Sequence, residues 1–128
     1  MFSKVIDIVG VYELKLSKSN SIPYNAVKPH QVEALTKAKH EGLFHKISDA
    51  LPIFGGNKHM RFTAKKPFDC MFLHCPAYVA ICFYQPRKKK EIYLIDIDRF
   101  IETRDHDTRK SLTKELADKI STYCLNLN

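Results

Sequence analysis

Val11-Tyr12-Glu13-Leu14-Lys15-Leu16 is the stretch on which the reading of this chain turns, together with Ser21-Ile22-Pro23-Tyr24 and Pro29-His30-Gln31 behind it. Its alternation predicts a strand, in which residues i and i+2 share a face. Glu13 and Lys15 then project side by side with Val11, while Tyr12, Leu14 and Leu16 point the other way. Charge on a strand needs a reason, because it is costly away from water unless paired or metal-bound. Two reasons stand open: a solvent-exposed pair on an edge strand, or half of a metal-binding site.

The alternating pattern extends over residues 4–17, with Gly10 as a bend or bulge. Ser17 to Asn25 is polar, contains Pro23 and reads as a loop. A helix begins near Lys28, with Pro29 in its first turn, where a missing N–H is harmless. Val32, Leu35 and Lys39 share one of its faces, Ala34 and Ala38 lie beside it, and Gly42 stops it. Leu43 to Ile47 is a short strand, residues 48–66 are irregular, and Asp69 to His74 is another short strand. Cys75-Pro76 turns the chain into Ala77 to Tyr84, a nearly all-apolar run that should be central in a sheet. After a basic turn at Gln85 to Lys90 comes a second apolar strand, Glu91 to Ile97, followed by Asp98 to Glu102 and a polar stretch, Thr103 to Thr108. A last helix starts near Ser111, with Leu112, Leu116, Ile120 and Tyr123 on one stripe. The sum is an α/β chain forming a single domain over residues 1–128, with a mixed central sheet of four or five strands flanked by helices.

A chain of 128 residues with a 45% hydrophobic fraction is the size of one self-sufficient domain. No apolar run approaches the ~20 residues of a membrane span, and Met1-Phe2-Ser3-Lys4 does not resemble a signal peptide. The expected compartment is the cytoplasm, with no membrane partner. Cys70, Cys75, Cys82 and Cys124 form no Cys-x-x-Cys pair and read as buried free thiols. His45, His59, His74 and His106 lack zinc-ligand spacing. The net charge of +7 and a pI of about 9.3 suit a polyanionic partner, most simply nucleic acid.

Glu13-Leu14-Lys15, followed by Ser21-Ile22-Pro23-Tyr24 and a helix opening on His30-Gln31, resembles the RecU-type Holliday-junction resolvases of the PD-(D/E)XK nuclease superfamily. Ala77 to Tyr84 and Glu91 to Asp98 resemble the two apolar strands that follow in that family. The resemblance covers about two-thirds of the chain and implies a restriction-endonuclease-like fold. It departs in one place. The family carries its metal-binding Asp on a strand upstream of Glu-x-Lys, and only twelve residues precede Glu13. An insertion after the His-Gln helix contains His45-Lys46-Ile47-Ser48-Asp49 and Lys65-Lys66-Pro67-Phe68-Asp69. Pro67-Phe68-Asp69 looks like the missing acidic element, relocated as in a circular permutation. Asp7 competes for the role, at i and i+6 from Glu13 but roughly 20 Å away along a strand, and Asp49 is a third candidate.

The resemblance implies a Mg²⁺-dependent DNA endonuclease, with Mn²⁺ as a substitute. Asp69, Glu13 and the Leu14 backbone carbonyl would be metal ligands, matching the oxygen preference of Mg²⁺. Lys15 would orient or deprotonate the attacking water or neutralise the phosphate, and Gln31 would contact water or phosphate. Lys28 and His30 stand near a helix end with free N–H groups suited to an anion, and Lys46, Lys65 and Lys66 add positive charge. Arg87, Lys88, Lys89 and Lys90 contact DNA if their turn flanks the site, and are otherwise a solvated tip. A homodimer is expected, since resolvases of that family cut two symmetric strands. The alternative is a nucleic-acid-binding protein on the same fold that has lost cleavage.

Overall fold

In the computed structural model, which describes residues 9–46 and 70–127, the run Ala77-Tyr78-Val79-Ala80-Ile81-Cys82-Phe83 forms a strand, β5, buried along nearly its whole length. A strand apolar at every position has no face to offer water and suits a central place in a sheet, and β5 has a strand paired at each edge. β1 (Val11–Ser17) lies parallel to it, with Glu13 beside Val79 and Lys15 beside Ile81. On its other side β6 (Lys90–Asp96) runs antiparallel, and β8 (Tyr123–Leu127) pairs antiparallel with β6. The sheet order is β1-β5-β6-β8, a mixed sheet of four strands.

A parallel pair needs a long crossover. Here it carries β2 (Ser21–Pro23), a 3₁₀ turn (Tyr24–Ala26), α1 (Pro29–His40) and the antiparallel pair β3 (Leu43–Lys46) and β4 (Cys70–Leu73). After β6 come α2 (Ile97–His106), β7 (Ser111–Thr113) and α3 (Lys114–Ile120). β7 pairs antiparallel with β2, placing buried Ile22 opposite buried Leu112. None of the helices among the described residues is long and apolar enough to cross a membrane.

The two faces of the sheet differ. Val79, Ile81, Phe83, Tyr93 and Ile95 pack with Leu35 of α1, Phe100 of α2 and Ala117 of α3 in the main core. Burying such a side chain contributes about 1.5–3 kcal/mol. On the opposite face Tyr78, Ala80 and Leu94 form a smaller cluster with Tyr12, Ile92 and Leu125. Leu14 and Leu16 on that face are 73% and 62% exposed. The described helices therefore cover one face of the sheet rather than flanking both.

α1 and α2 are joined by charge. Asp96 caps α2, its carboxylate accepting from the N–H groups of Asp98 and Arg99. It also receives Lys39 Nζ at 2.9 Å to each oxygen, while Lys39 and His40 both reach Asp98. The hydrogen bond from His40, and then that from Lys39, hold the Asp98 carboxyl below the ordinary range.

Several expectations need correction. The terminal segment is not one helix from Ser111. Leu112 lies in β7 and Tyr123 in β8, and α3 spans only Lys114–Ile120. Thr113 caps α3 by accepting from Leu116 N–H, and the helix ends on Ser121. Asp98 to His106, polar in sequence, is helical because Ile97, Phe100 and Ile101 recur at helical spacing and reach the core. Ala34 is exposed, whereas Leu35 and Ala38 are buried as expected. Cys124 is an exposed free thiol and Cys75 and Cys82 are half-buried ones. Gly10 is a bend, one of the two expected readings, and it stands immediately before β1 rather than within it. A Cβ there would lie 2.7 Å from the Pro76 carbonyl oxygen, which accepts the first bond of the parallel ladder from Val11 N–H.

Candidate active site

β1 presents Glu13 and Lys15 on the face covered by α1, at the edge of the sheet. Their Oε1···Nζ separation is 3.0 Å. Burial is partial, with side-chain exposures of 27% for Glu13 and 18% for Lys15. The third member comes from the first turn of α1. Gln31 Nε2 donates to Glu13 Oε1 at 2.6 Å, and Lys15 Nζ donates to Gln31 Oε1 at 3.0 Å. The three side chains thus close a triangle in which each touches both others.

Gln31 is held there by the start of its helix. Its Oε1 also accepts from the Lys28 backbone N–H at 2.9 Å, the return half of a capping box. Pro29 fixes the backbone at the first helical position, where no N–H is needed. The helix start itself is tied down by the β2–β7 ribbon and by Tyr24 N–H, which donates to the Lys110 carbonyl at 3.1 Å. The spacing from Lys15 to Gln31 therefore follows from a short ribbon, a 3₁₀ turn and a capped helix rather than from a loose loop.

The backbone of β1 completes the donor set. Val11 N–H donates to Pro76 O and Ser17 O accepts from Tyr84 N–H, so residues 11, 13, 15 and 17 turn their peptide groups toward β5. By the alternation of a strand, Leu14 turns its N–H and C=O the other way, off the edge of the sheet. Its carbonyl and the Glu13 carboxylate are two oxygen donors on the same edge strand, the carboxylate 3.0 Å from the Lys15 ammonium. Mg²⁺ is commonly bound through one or two carboxylates and keeps several waters, so this pair fits such an ion. Among the described residues no group of three His, Cys, Asp or Glu side chains comes together. Asp69, Asp49 and Asp7, the candidates for a second carboxylate, lie outside the described residues.

Of the basic residues named from sequence, Lys28 and His30 are exposed at the N-terminal end of α1, beside the triangle. Arg87, Lys88 and Lys89 are exposed in the β5–β6 connection and Lys90, also exposed, begins β6, at the end where β1 finishes. Arg87 has φ of 63°, and Lys90 stacks its ammonium over the Tyr84 ring at 5.6 Å. Lys46 ends β3, and Lys65 and Lys66 lie outside the described residues. The sequence reading did not foresee the Lys28 N–H bond to Gln31. Its signal was only half present: Gln31 stands three residues after Lys28, as in a capping box, but Lys28 has no side-chain acceptor to complete one.

Compared with known proteins, the chain matches no family model, no curated protein and no solved structure.

Proposed function

We propose that the protein is a Mg²⁺-dependent DNA endonuclease acting on branched or duplex DNA, with Holliday junctions among its candidate substrates. The observation that carries this reading is the closed triangle of Glu13, Lys15 and Gln31, set beside the outward Leu14 carbonyl. It joins residues eighteen positions apart, which a solvated surface pair would not require.

The chemistry follows from the residue types. Glu13 and the Leu14 carbonyl would hold Mg²⁺, with Mn²⁺ as a substitute, and the ion would supply positive charge and a more acidic bound water. Lys15 carries an ammonium with three donors, two of them engaged by Glu13 and Gln31. The third is free to donate to a phosphate oxygen as negative charge builds on it. Gln31 orients both ionic partners and keeps the Lys15 amine aimed along the edge of β1. Lys28 and His30 contact flanking phosphates. In this reading a homodimer supplies two equivalent sites for two strands of a symmetric junction.

One observation favours a second reading, a nucleic-acid-binding protein without cleavage. Glu13 Oε1 is already held by two donors, and among the described residues no other carboxylate joins the triangle. The two readings separate on a panel of duplex, forked and four-way DNA in Mg²⁺. Cleavage abolished by Glu13→Ala, Lys15→Ala and Asp69→Ala supports the nuclease. Binding that survives all three, with no cleavage in Mg²⁺ or Mn²⁺, supports the binding protein. Sedimentation of the protein alone tests the dimer.

A further inference from the structure

A groove of about 680 Å³ opens on the far side of the α1 N-terminus from Gln31. Pro29, Val32 and Glu33 line it from α1, and successive residues turn by 100° on a helix, which places all three away from Gln31. Its volume falls in the range of clefts that take small organic ligands. The floor is apolar, and its central ring is held by contacts on two sides. Tyr24 is 6% exposed, packs edge-on against Phe100 at 5.9 Å, and donates its hydroxyl to Asp107 Oδ2 at 2.6 Å.

The rim is cationic. Arg104, Arg109 and Lys110 stand on it; among the groove's own lining the one carboxylate is Glu33, engaged by Lys37 at 2.8 Å, while Arg104 Nε is paired with Asp105 just outside it at 3.0 Å. Asp107 fixes the arm of Arg109, accepting from its backbone N–H at 3.0 Å and from Nε at 3.5 Å. The Arg109 side chain is nonetheless 61% exposed, so the far end of its guanidinium is accessible. Lys110 has no ion-pair partner among the described residues, and its carbonyl is bonded to the Tyr24 N–H beneath it.

An apolar floor under three cations matches a ligand that is apolar at one end and anionic at the other. Unpaired nucleotides have that character, and proteins hold them by stacking the base on aromatic or guanidinium planes and pairing the phosphate with Arg and Lys. A helix is about 10–12 Å across, so the groove and the Glu13–Lys15–Gln31 triangle sit on opposite sides of one helical turn. We propose that this groove takes one unpaired nucleotide of a DNA strand, its base on Tyr24, Pro29 and Val32 and its phosphate on Arg104, Arg109 and Lys110. The inference rests on the nucleic-acid reading above and narrows it, since the preferred DNA then contains an unpaired segment.

The test is fluorescence anisotropy in EDTA, with labelled single-stranded, forked and continuous duplex DNA of equal length. Wild-type protein should bind the forked and single-stranded probes at least tenfold more tightly than the duplex. Arg109→Ala/Lys110→Ala should weaken those two probes about tenfold and lower the log–log salt slope by up to about 0.7, the figure for one phosphate on a single strand. Val32→Phe fills the floor without changing charge and should weaken the same two probes at least fivefold while leaving the duplex unchanged. Arg109 and Lys110 are exposed, so the double variant keeps the test if Val32→Phe fails to fold. Equal affinity for all three probes, equal loss on all three, or stronger binding of a phosphotyrosine peptide than of any oligonucleotide would overturn the proposal. The readout needs no cleavage. Groove-dependent binding without nuclease activity leaves this inference standing and removes the nuclease, and cleavage with groove-independent binding does the reverse.

Discussion

Gln31→Ala is the most informative single change. It removes three hydrogen bonds at once, to Glu13 Oε1, from Lys15 Nζ and from the Lys28 N–H. Hydrogen bonds contribute about 0.5–1.5 kcal/mol each, and more when one partner is charged. The site is partly open to water, which can replace part of what is lost, so the net cost is about 1–2 kcal/mol. For a domain of this size that is a fall in Tm of about 5 °C, readable by circular dichroism and by urea titration with an unchanged m value. Stability alone does not isolate the triangle, because the lost helix cap contributes as well. A double-mutant cycle with Glu13→Ala does. Groups in contact couple by about 0.5–3 kcal/mol, and a value near 1 kcal/mol is expected here. Coupling below about 0.3 kcal/mol would mean that Gln31 and Glu13 do not touch in solution, and the site would lose its third member.

Other changes test the frame that holds the site. Gly10→Ala drives a Cβ to 2.7 Å from the Pro76 carbonyl oxygen and should cost about 1–3 kcal/mol by overpacking, measured as a lower Tm. Asp96→Ala removes the α2 cap and a partner of Lys39, and should cost about 2 kcal/mol in urea unfolding. Asp96→Asn, which retains a capping oxygen, should cost less. Burial, and then a hydrogen bond to Asp107, raises the Tyr24 phenol above 10.0, and burial, then a bond to Glu91, raises Tyr93 likewise. The unfolded chain gives up these protons near pH 10 while the folded chain keeps them, so stability is full below about pH 10 and falls as pH rises beyond it. Absorbance titration at 295 nm should show these tyrosines ionising only as the protein unfolds, and ordinary titration of both in the folded state would count against their burial.

The parts of the fold legible in the sequence were those with a strong local signal. β5 is apolar at every position, β1 alternates, and α1 opens on Pro29 and closes before Gly42, whose φ of 95° suits glycine. α2 was hidden by its polar surface residues, although Asp96 as a cap and Ile97, Phe100 and Ile101 as a stripe were there to be read. The end of the chain misled for a different reason. Leu112, Leu116, Ile120 and Tyr123 have helical spacing by coincidence, while pairing with β2 and β6 decides that the first and last belong to strands. Glu13, Lys15 and Gln31 were nameable from a motif, but their contact depends on the crossover between β1 and β5. Tyr24 and Arg109 meet across the β2–β7 ribbon, a non-local pairing with no sequence signature.

The most direct measurement is the single-turnover rate of cleavage of a four-way DNA junction in Mg²⁺, wild type against Glu13→Gln. The substituted amide preserves size and a hydrogen-bonding oxygen but removes the carboxylate charge. The nuclease reading predicts cleavage by the wild type and a loss of at least about 10²-fold in the variant, the scale on which removing one electrostatic group acts. An unchanged rate in the variant, or no cleavage by the wild type in Mg²⁺ or Mn²⁺, would contradict it.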